Sequence, residues 1–196
     1  MTIEHLKNIP VRTSIYVNPE KKCIWIRIHR TGTTSLWEHF RERGFKNPAD
    51  NLEKNEEFLN SLTDADILTW YSCTFVRDPY DRFVSIARHF GYTPEYLAMN
   101  YDYITGLRNV VLRHSFPQSR FTHFNGQRRV QFIGKFETYM RNFGTLCKLM
   151  NLDYEELPKL NSSKRGRTED ELTPDTINFI NKYYDDDFRN FEYQKK

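Results

Sequence analysis

Cysteine is scarce: Cys23, Cys73 and Cys147 are the three in 196 residues, odd in number and widely spaced. A disulfide framework or a zinc knuckle needs closely spaced or evenly paired thiols, so neither is expected, and buried reduced thiols are. No apolar run nears the roughly 18 residues of a membrane span. Residues 1–13 hold no apolar stretch of the kind a secretory signal needs. The expectation is a cytoplasmic chain with no membrane span. Glycine and proline, eight of each, are scattered, with no repeat or low-complexity tract. No linker divides the chain, and a single domain over 1–196 is expected. A strong excess of one charge is also missing: 29 basic residues face 26 acidic ones, for a net charge of +3. That balance argues against a histone-like partner of nucleic acid and leaves room for a local anion site.

Aromatic residues are what the chain has in quantity, with 15 Phe, 12 Tyr and 3 Trp. They supply enough large anchors for a packed core and argue against disorder. Residues 22–28 read as a strand rich in β-branched and aromatic side chains. A loop over 31–35 and a short helix from Leu36 to Arg43, closed by Gly44, follow. Residues 45–66 are polar and read as loop plus a surface helix near Glu56–Leu62. Residues 68–76 read as a second buried strand. Asp78 and Pro79 then open a helix to about His89, since Asp caps well and Pro suits the first helical position. Residues 94–113 read as largely helical, 130–134 as a third strand, 137–150 as a helix, and Thr173-Pro174 as the start of a last helix. Repeated strand–loop–helix units are best satisfied by an α/β fold, a central parallel sheet with helices on both faces. In such sheets ligands sit at the carboxyl ends of strands.

Two motifs fall at those ends. In His29-Arg30-Thr31-Gly32-Thr33-Thr34-Ser35, Gly32 lets the backbone turn close to an anion, the helix start offers free N–H groups, and Arg30 adds a planar donor fork. The G-x-x-x-x-G-K spacing of a nucleoside triphosphate loop is missing. The plainer reading is a hydroxyl-rich helix start with Arg30 merely solvated. In the second motif, residues 75–85, Arg77 leaves the end of a strand and Ser85 lies about two turns into the next helix, so both can face one anion. Asp81 is expected to support the Asp78 cap, and Arg82 to be a structural ion-pair partner. The plainer reading pairs Arg77 with Asp78 or Asp81.

Together the motifs resemble the two signatures of the 3′-phosphoadenosine 5′-phosphosulfate (PAPS)-dependent sulfotransferases. The second, Phe75-Val76-Arg77-Asp78-Pro79-Tyr80-Asp81-Arg82-Phe83-Val84-Ser85, is the more specific. His114-Ser115-Phe116-Pro117-Gln118 and Phe132-Ile133-Gly134-Lys135-Phe136-Glu137 resemble segments of the carbohydrate-type branch, as do Leu160-Asn161-Ser162-Ser163 and Leu172-Thr173-Pro174. The resemblance spans about residues 22–193, apart from 45–67. It implies a P-loop-kinase-like sulfotransferase fold and transfer of a sulfuryl group from PAPS to an acceptor hydroxyl or amine. The implied acceptor is a small molecule or oligosaccharide, with no nucleic-acid partner. By the same resemblance, residues Arg30, Thr31, Gly32, Thr33, Thr34 and Ser35 hold the 5′ end. Arg77 and Ser85 hold the 3′-phosphate, and the basic run containing Lys164 and Arg167 closes over the cofactor. The chain departs from the family in having Arg30 where Lys is usual, and His29 where Pro is usual.

Sulfuryl transfer asks the protein to align the acceptor and place donors around developing charge, and no metal is required. Asp185-Asp186-Asp187 is read as a solvated helix end rather than a metal site. For the general base, His114 is the first choice and His29 the second. His39, Glu38, Glu42 and Glu53 are the groups nearest the usual position between the signatures. The catalytic assignment is therefore Arg30 and His114. From Tyr103 to Phe136 there is no Asp or Glu, while Arg108, Arg113, Arg120, Arg128, Arg129 and Lys135 occur. That stretch suits an anionic acceptor, with Tyr101, Tyr103, Phe116, Phe121 and Phe124 as stacking surfaces for sugar rings, or else it is a basic surface over buried aromatics. The alternatives are a nucleotide kinase of similar fold and a non-catalytic module that binds nucleotides or polyanions.

Overall fold

The computed structural model describes residues 1–11, 14–47, 61–155 and 172–196. Its frame is a four-stranded sheet in the order β1 (Ile15–Asn18), β2 (Cys23–Ile26), β3 (Tyr71–Val76) and β6 (Phe132–Lys135). Strands β2, β3 and β6 are parallel, with Trp25 opposite Cys73 and Cys73 opposite Phe132. The expected central parallel sheet is present, with one difference. Strand β1 runs antiparallel to β2, with Asn18 opposite Cys23. The cause is the short link through Pro19: a few residues can join only a hairpin, whereas a parallel crossover needs about a dozen. Asn18 Oδ1 accepts from the Lys21 N–H at 2.9 Å and stabilises the turn.

Both faces of the sheet are buried, as parallel strands require. Side chains alternate between two cores. Ile24, Ile26 and Val76 join Leu6, Phe121 and Phe191 on one side. Trp25, Cys73 and Phe75 join Leu36, Phe40 and Phe143 on the other. Helices cover each face: α1 (Ile3–Lys7) on the first, α2 (Thr33–Glu42) and α9 (Tyr139–Leu149) on the second. The three cysteines are free thiols and buried, as expected. Burial raises the Cys23 and Cys147 thiols to about 11, so both stay protonated.

A third core lies beyond the sheet, around α4 (Pro79–His89) and α10 (Pro174–Tyr183). The expected caps of both helices form. Asp78 Oδ1 accepts from the Tyr80 and Asp81 N–H groups at 2.9 and 3.2 Å, and Thr173 accepts from Thr176. Asp81 does not close that cap; the Asp78 N–H donates instead to Glu137 Oε1 at 2.8 Å.

Several element boundaries differ from the sequence reading: the first helix starts at Thr33 rather than at Leu36, and the third strand runs from Phe132 to Lys135 rather than over 130–134. Residues 64–69 form α3 (Asp64–Thr69), opened by a reciprocal Thr63–Asp66 capping box, so the strand begins at Tyr71 rather than at 68. Residues 94–113, expected to be largely helical, form three helices: α5 (Pro94–Met99), α6 (Tyr101–Leu107) and α7 (Asn109–Ser115). Asn100 and Arg108 leave helical geometry between them, which turns Leu97, Tyr101, Ile104 and Val111 into one core. Residues Ser119–Thr122 (α8) lead into a small hairpin of β4 (His123–Phe124) and β5 (Gln127–Arg128). The last helix is α11 (Asp185–Phe191). Most of the surface helix expected near Glu56–Leu62 lies outside the described residues. Among the described residues, no helix is long and apolar enough to cross a membrane.

Candidate functional site

The loop after β2 delivers the first motif to the start of α2. Arg30 and Gly32 both have positive φ, 69° and 80°. Gly32 also has no room for a side chain, because a Cβ would stand 2.9 Å from the rings of Phe136 and Tyr139. Tyr139 fixes the turn by donating its hydroxyl to the Gly32 carbonyl at 2.6 Å. The first turn of α2 has no side-chain cap and no acidic residue, so its N–H groups favour an anion. Thr33 and Ser35 are buried at that turn and Thr34 is exposed. Thr31 is different: its hydroxyl donates to the Ile28 carbonyl at 2.8 Å and serves the loop itself.

The second motif meets the first through side chains. Arg30 Nε donates to Ser85 Oγ at 3.0 Å. Arg77, at the end of β3, lies over the Phe136 ring with its guanidinium carbon 4.6 Å from the centroid. Its main chain is held on both sides by Gln118, which accepts from the Arg77 N–H at 2.9 Å and donates to the Arg77 carbonyl at 2.8 Å. The plainer pairing with Asp81 is loose, at 3.9 Å, and Asp78 is occupied as the cap. Arg77 Nε is buried and has no hydrogen-bond partner. Burial pulls the Arg77 pKa below its ordinary value, against the nearby carboxylates. Arg30 is lowered too, by burial and then by the Arg77 charge. Two guanidinium groups thus lie near each other, both partly stripped of water, with Asp81, Glu137 and Asp78 beside Arg77. With the open helix start, this arrangement fits a ligand carrying two separated anionic groups.

Arg82 was expected in an ion pair, and among the described residues it has none. It is 1% exposed, and it donates from Nε to the His29 carbonyl at 3.1 Å and from Nη2 to the His114 carbonyl at 2.7 Å. It therefore clamps the two histidines that sequence reasoning had ranked as bases. Their rings stack with centroids 3.8 Å apart, and the His89 ring stacks on His114 at 5.5 Å. His114 Nδ1 lies 2.8 Å from the Val110 carbonyl. Burial, with Arg30 and Arg82 nearby, pushes His29 down to about 2 and His114 to about 4. Both imidazoles are neutral at pH 7.

Asp187 also departs from expectation. Asp185 and Asp186 are solvated and paired with Arg189, but Asp187 is fully buried. It accepts from the Gln118 and Ser119 N–H groups at 2.8 and 2.7 Å, and so holds Gln118 against Arg77. Among the described residues, no group of His, Cys, Asp or Glu is arranged to hold a metal ion.

Other expected site residues fall elsewhere. Lys164 and Arg167, the 160–163 segment and Glu53 lie outside the described residues. His39 packs edge-on against Phe143 in the core; Glu38 pairs with Arg41, and Glu42 sits 3.9 Å from Arg43. Tyr101 and Phe121 cannot stack on a ligand, because both are core residues, 5% and 0% exposed. Arg128 is spent on the Val130 and Gln131 carbonyls. Sequence reasoning missed Phe136 and Tyr139 as the walls of the loop, and His89. The first lay within a quoted motif, and His89 lies one helical turn past Ser85 on the same face.

The sequence model of the sulfotransferase family matches residues 13–194. No curated protein matches the chain, and no solved structure does. The family match spans the whole sheet, both motifs and the helices that hold them, and on that evidence the chain belongs to the sulfotransferase family.

Proposed function

We propose that this sulfotransferase uses PAPS to sulfate a hydroxyl or amine of a carbohydrate acceptor, and that residues 1–196 act as one domain. The observation that carries the site assignment is the contact of Arg30 with Ser85 beside Arg77, whose buried Nε has no hydrogen-bond partner. In this reading the N–H groups opening α2, with Gly32, Thr33, Thr34 and Ser35, receive the 5′ end. Thr31 contributes through its backbone, since its hydroxyl is taken. Arg77 and Ser85 receive the 3′-phosphate, and Lys164 and Arg167 are assigned to cover the nucleotide. When bound, PAPS supplies a sulfuryl group whose leaving group is already a phosphate anion.

The chain's part is charge and alignment. Arg30 places a permanent cation between the two motifs, where negative charge develops. His114 takes the acceptor proton. A proton on Nδ1, directed to the Val110 carbonyl, leaves Nε2 as the acceptor nitrogen. Its lowered pKa keeps that nitrogen unprotonated at neutral pH. The carbohydrate acceptor rests on the resemblance of residues 114–118 and 132–137 to the carbohydrate-type branch and on the acid-free stretch 103–136.

Calorimetric titration with 3′-phosphoadenosine 5′-phosphate, adenosine 5′-phosphate and ATP tests the donor site. Preferential binding of the doubly phosphorylated ligand supports it. A preference for ATP sinks the assignment and favours a kinase-like use of the fold.

A further inference from the structure

Strand β6 runs into a short 3-10 turn, Phe136–Thr138, that lies beside Arg77. Phe136 gives the Arg77 guanidinium an aromatic floor. The next residue of the turn reaches the backbone. Glu137 Oε1 accepts from the Asp78 N–H at 2.8 Å, and Glu137 Oε2 accepts from the Tyr193 hydroxyl at 2.9 Å. One carboxylate thus joins the end of β3 to a residue two places past α11, 56 positions further along the chain.

The peptide between Arg77 and Asp78 is therefore gripped at both polar atoms. Gln118 donates to its carbonyl at 2.8 Å, and Glu137 accepts from its N–H. That peptide leaves the Arg77 Cα, so its orientation governs where the guanidinium points. Tyr193 is fixed in its turn. Its N–H donates to the Phe188 carbonyl at 3.1 Å, and Lys135 Nζ lies 4.6 Å from its ring centroid. Burial, then the Glu137 charge, pushes its phenol pKa upward, so the hydroxyl stays a donor. A carboxylate beside Arg77 repels an incoming phosphate. Glu137 therefore does not help an anion site by its charge; what it supplies is two acceptor oxygens for two donors.

We propose that Glu137, anchored by Tyr193, is a positioning residue for the donor nucleotide: it holds the Arg77–Asp78 peptide so that the Arg77 guanidinium faces the 3′-phosphate. This rests on the reading of Arg77 as the ligand of the 3′-phosphate and adds what aims it. Neither Glu137 nor Tyr193 touches the nucleotide in this arrangement, and Tyr193 acts only through Glu137.

The test is calorimetric titration of the protein with 3′-phosphoadenosine 5′-phosphate and with adenosine 5′-phosphate, read as the ratio of the two affinities. A loss of stability lowers both affinities alike, so the ratio reports on Arg77. Glu137→Ala is expected to lower the ratio about tenfold, the upper range for one hydrogen bond. Tyr193→Phe lowers it less, and the double variant falls no further than Glu137→Ala, because the two residues act in series. Glu137→Gln keeps most of the ratio: its amide oxygen accepts from Asp78, and its NH2 donates to a Tyr193 hydroxyl that turns to accept. A ratio unchanged in Glu137→Ala, while Arg77→Ala lowers it, overturns the positioning role and leaves the 3′-phosphate reading standing. Additive losses in the double variant, or a loss in Glu137→Gln as large as in Glu137→Ala, do the same. A wild-type ratio near one, or one that survives Arg77→Ala, overturns both.

Discussion

The Arg30 guanidinium donates to the Ser85 hydroxyl at 3.0 Å and so joins the loop after β2 to the second turn of α4. The two residues stand 55 positions apart in the chain. Neither motif alone distinguishes an anion site from a well-capped helix. Their contact favours the anion-site reading, because it places Arg30 within reach of the Arg77 charge instead of in solvent.

Arg77→Ala is expected to weaken binding of 3′-phosphoadenosine 5′-phosphate by about 10- to 100-fold, the loss of one or two charge-assisted hydrogen bonds. Affinity for adenosine 5′-phosphate should change little. Equal losses for both ligands, measured by calorimetry, would remove Arg77 from the 3′-phosphate.

Gly32→Ala should destabilise the fold by about 1–3 kcal/mol, since it forces a side chain to positive φ and into packed rings. The new Cβ would stand 2.9 Å from Phe136 and Tyr139. Denaturant unfolding gives the stability, and nucleotide affinity should fall with it because the same turn opens α2. A variant as stable as the wild type would mean that the two rings yield freely.

For Arg82→Met the expected cost is about 2–4 kcal/mol, because two buried carbonyls lose a charged donor. Arg82→Lys restores one of them. The discriminating readout is the NMR signals of the His29 and His114 rings. Loss of their mutual ring-current shifts in the Met variant, with partial recovery in the Lys variant, shows the clamp. Unmoved signals in a folded Met variant would show that the stack stands without it.

His29 and His114 also predict an acid sensitivity. Their folded pKa values, about 2 and about 4, lie below the ordinary 6.5. The unfolded chain therefore binds more protons below about pH 6.5. Stability is full above that value and falls as the pH drops toward 4, with a slope of about one proton per imidazole. Thermal unfolding between pH 7 and 4 should show the decline, and His114→Gln should flatten part of it. An unchanged slope in that variant would assign the acid loss to other groups.

Much of this was legible in the residues. The strand cores, the Asp78-Pro79 and Thr173-Pro174 helix starts, and the convergence of Arg30, Arg77 and Ser85 all follow from local chemistry and from where strands end. Three things were not. The antiparallel β1 depends on a short turn whose pairing partner lies in the same hairpin, and hydrophobic pattern does not distinguish strand direction. The break of residues 94–113 into three helices is set by a tertiary core that bends around Tyr101 and Ile104. In a linear reading Arg82 looks like an ion-pair partner and Asp187 like a solvated helix-end charge. Their roles depend on carbonyls and N–H groups that come near only when the chain is folded.

The buried Asp187 carboxylate has a consequence for the order of events in biosynthesis. It holds Gln118 from 69 residues further along the chain, and Gln118 in turn fixes both sides of the Arg77 peptide. A ribosome-bound chain that has emerged only as far as α9 therefore carries both motifs but lacks the carboxylate that locks the second. The Arg77 geometry is complete only late in translation, when α11 docks, and not in step with the appearance of the motifs themselves.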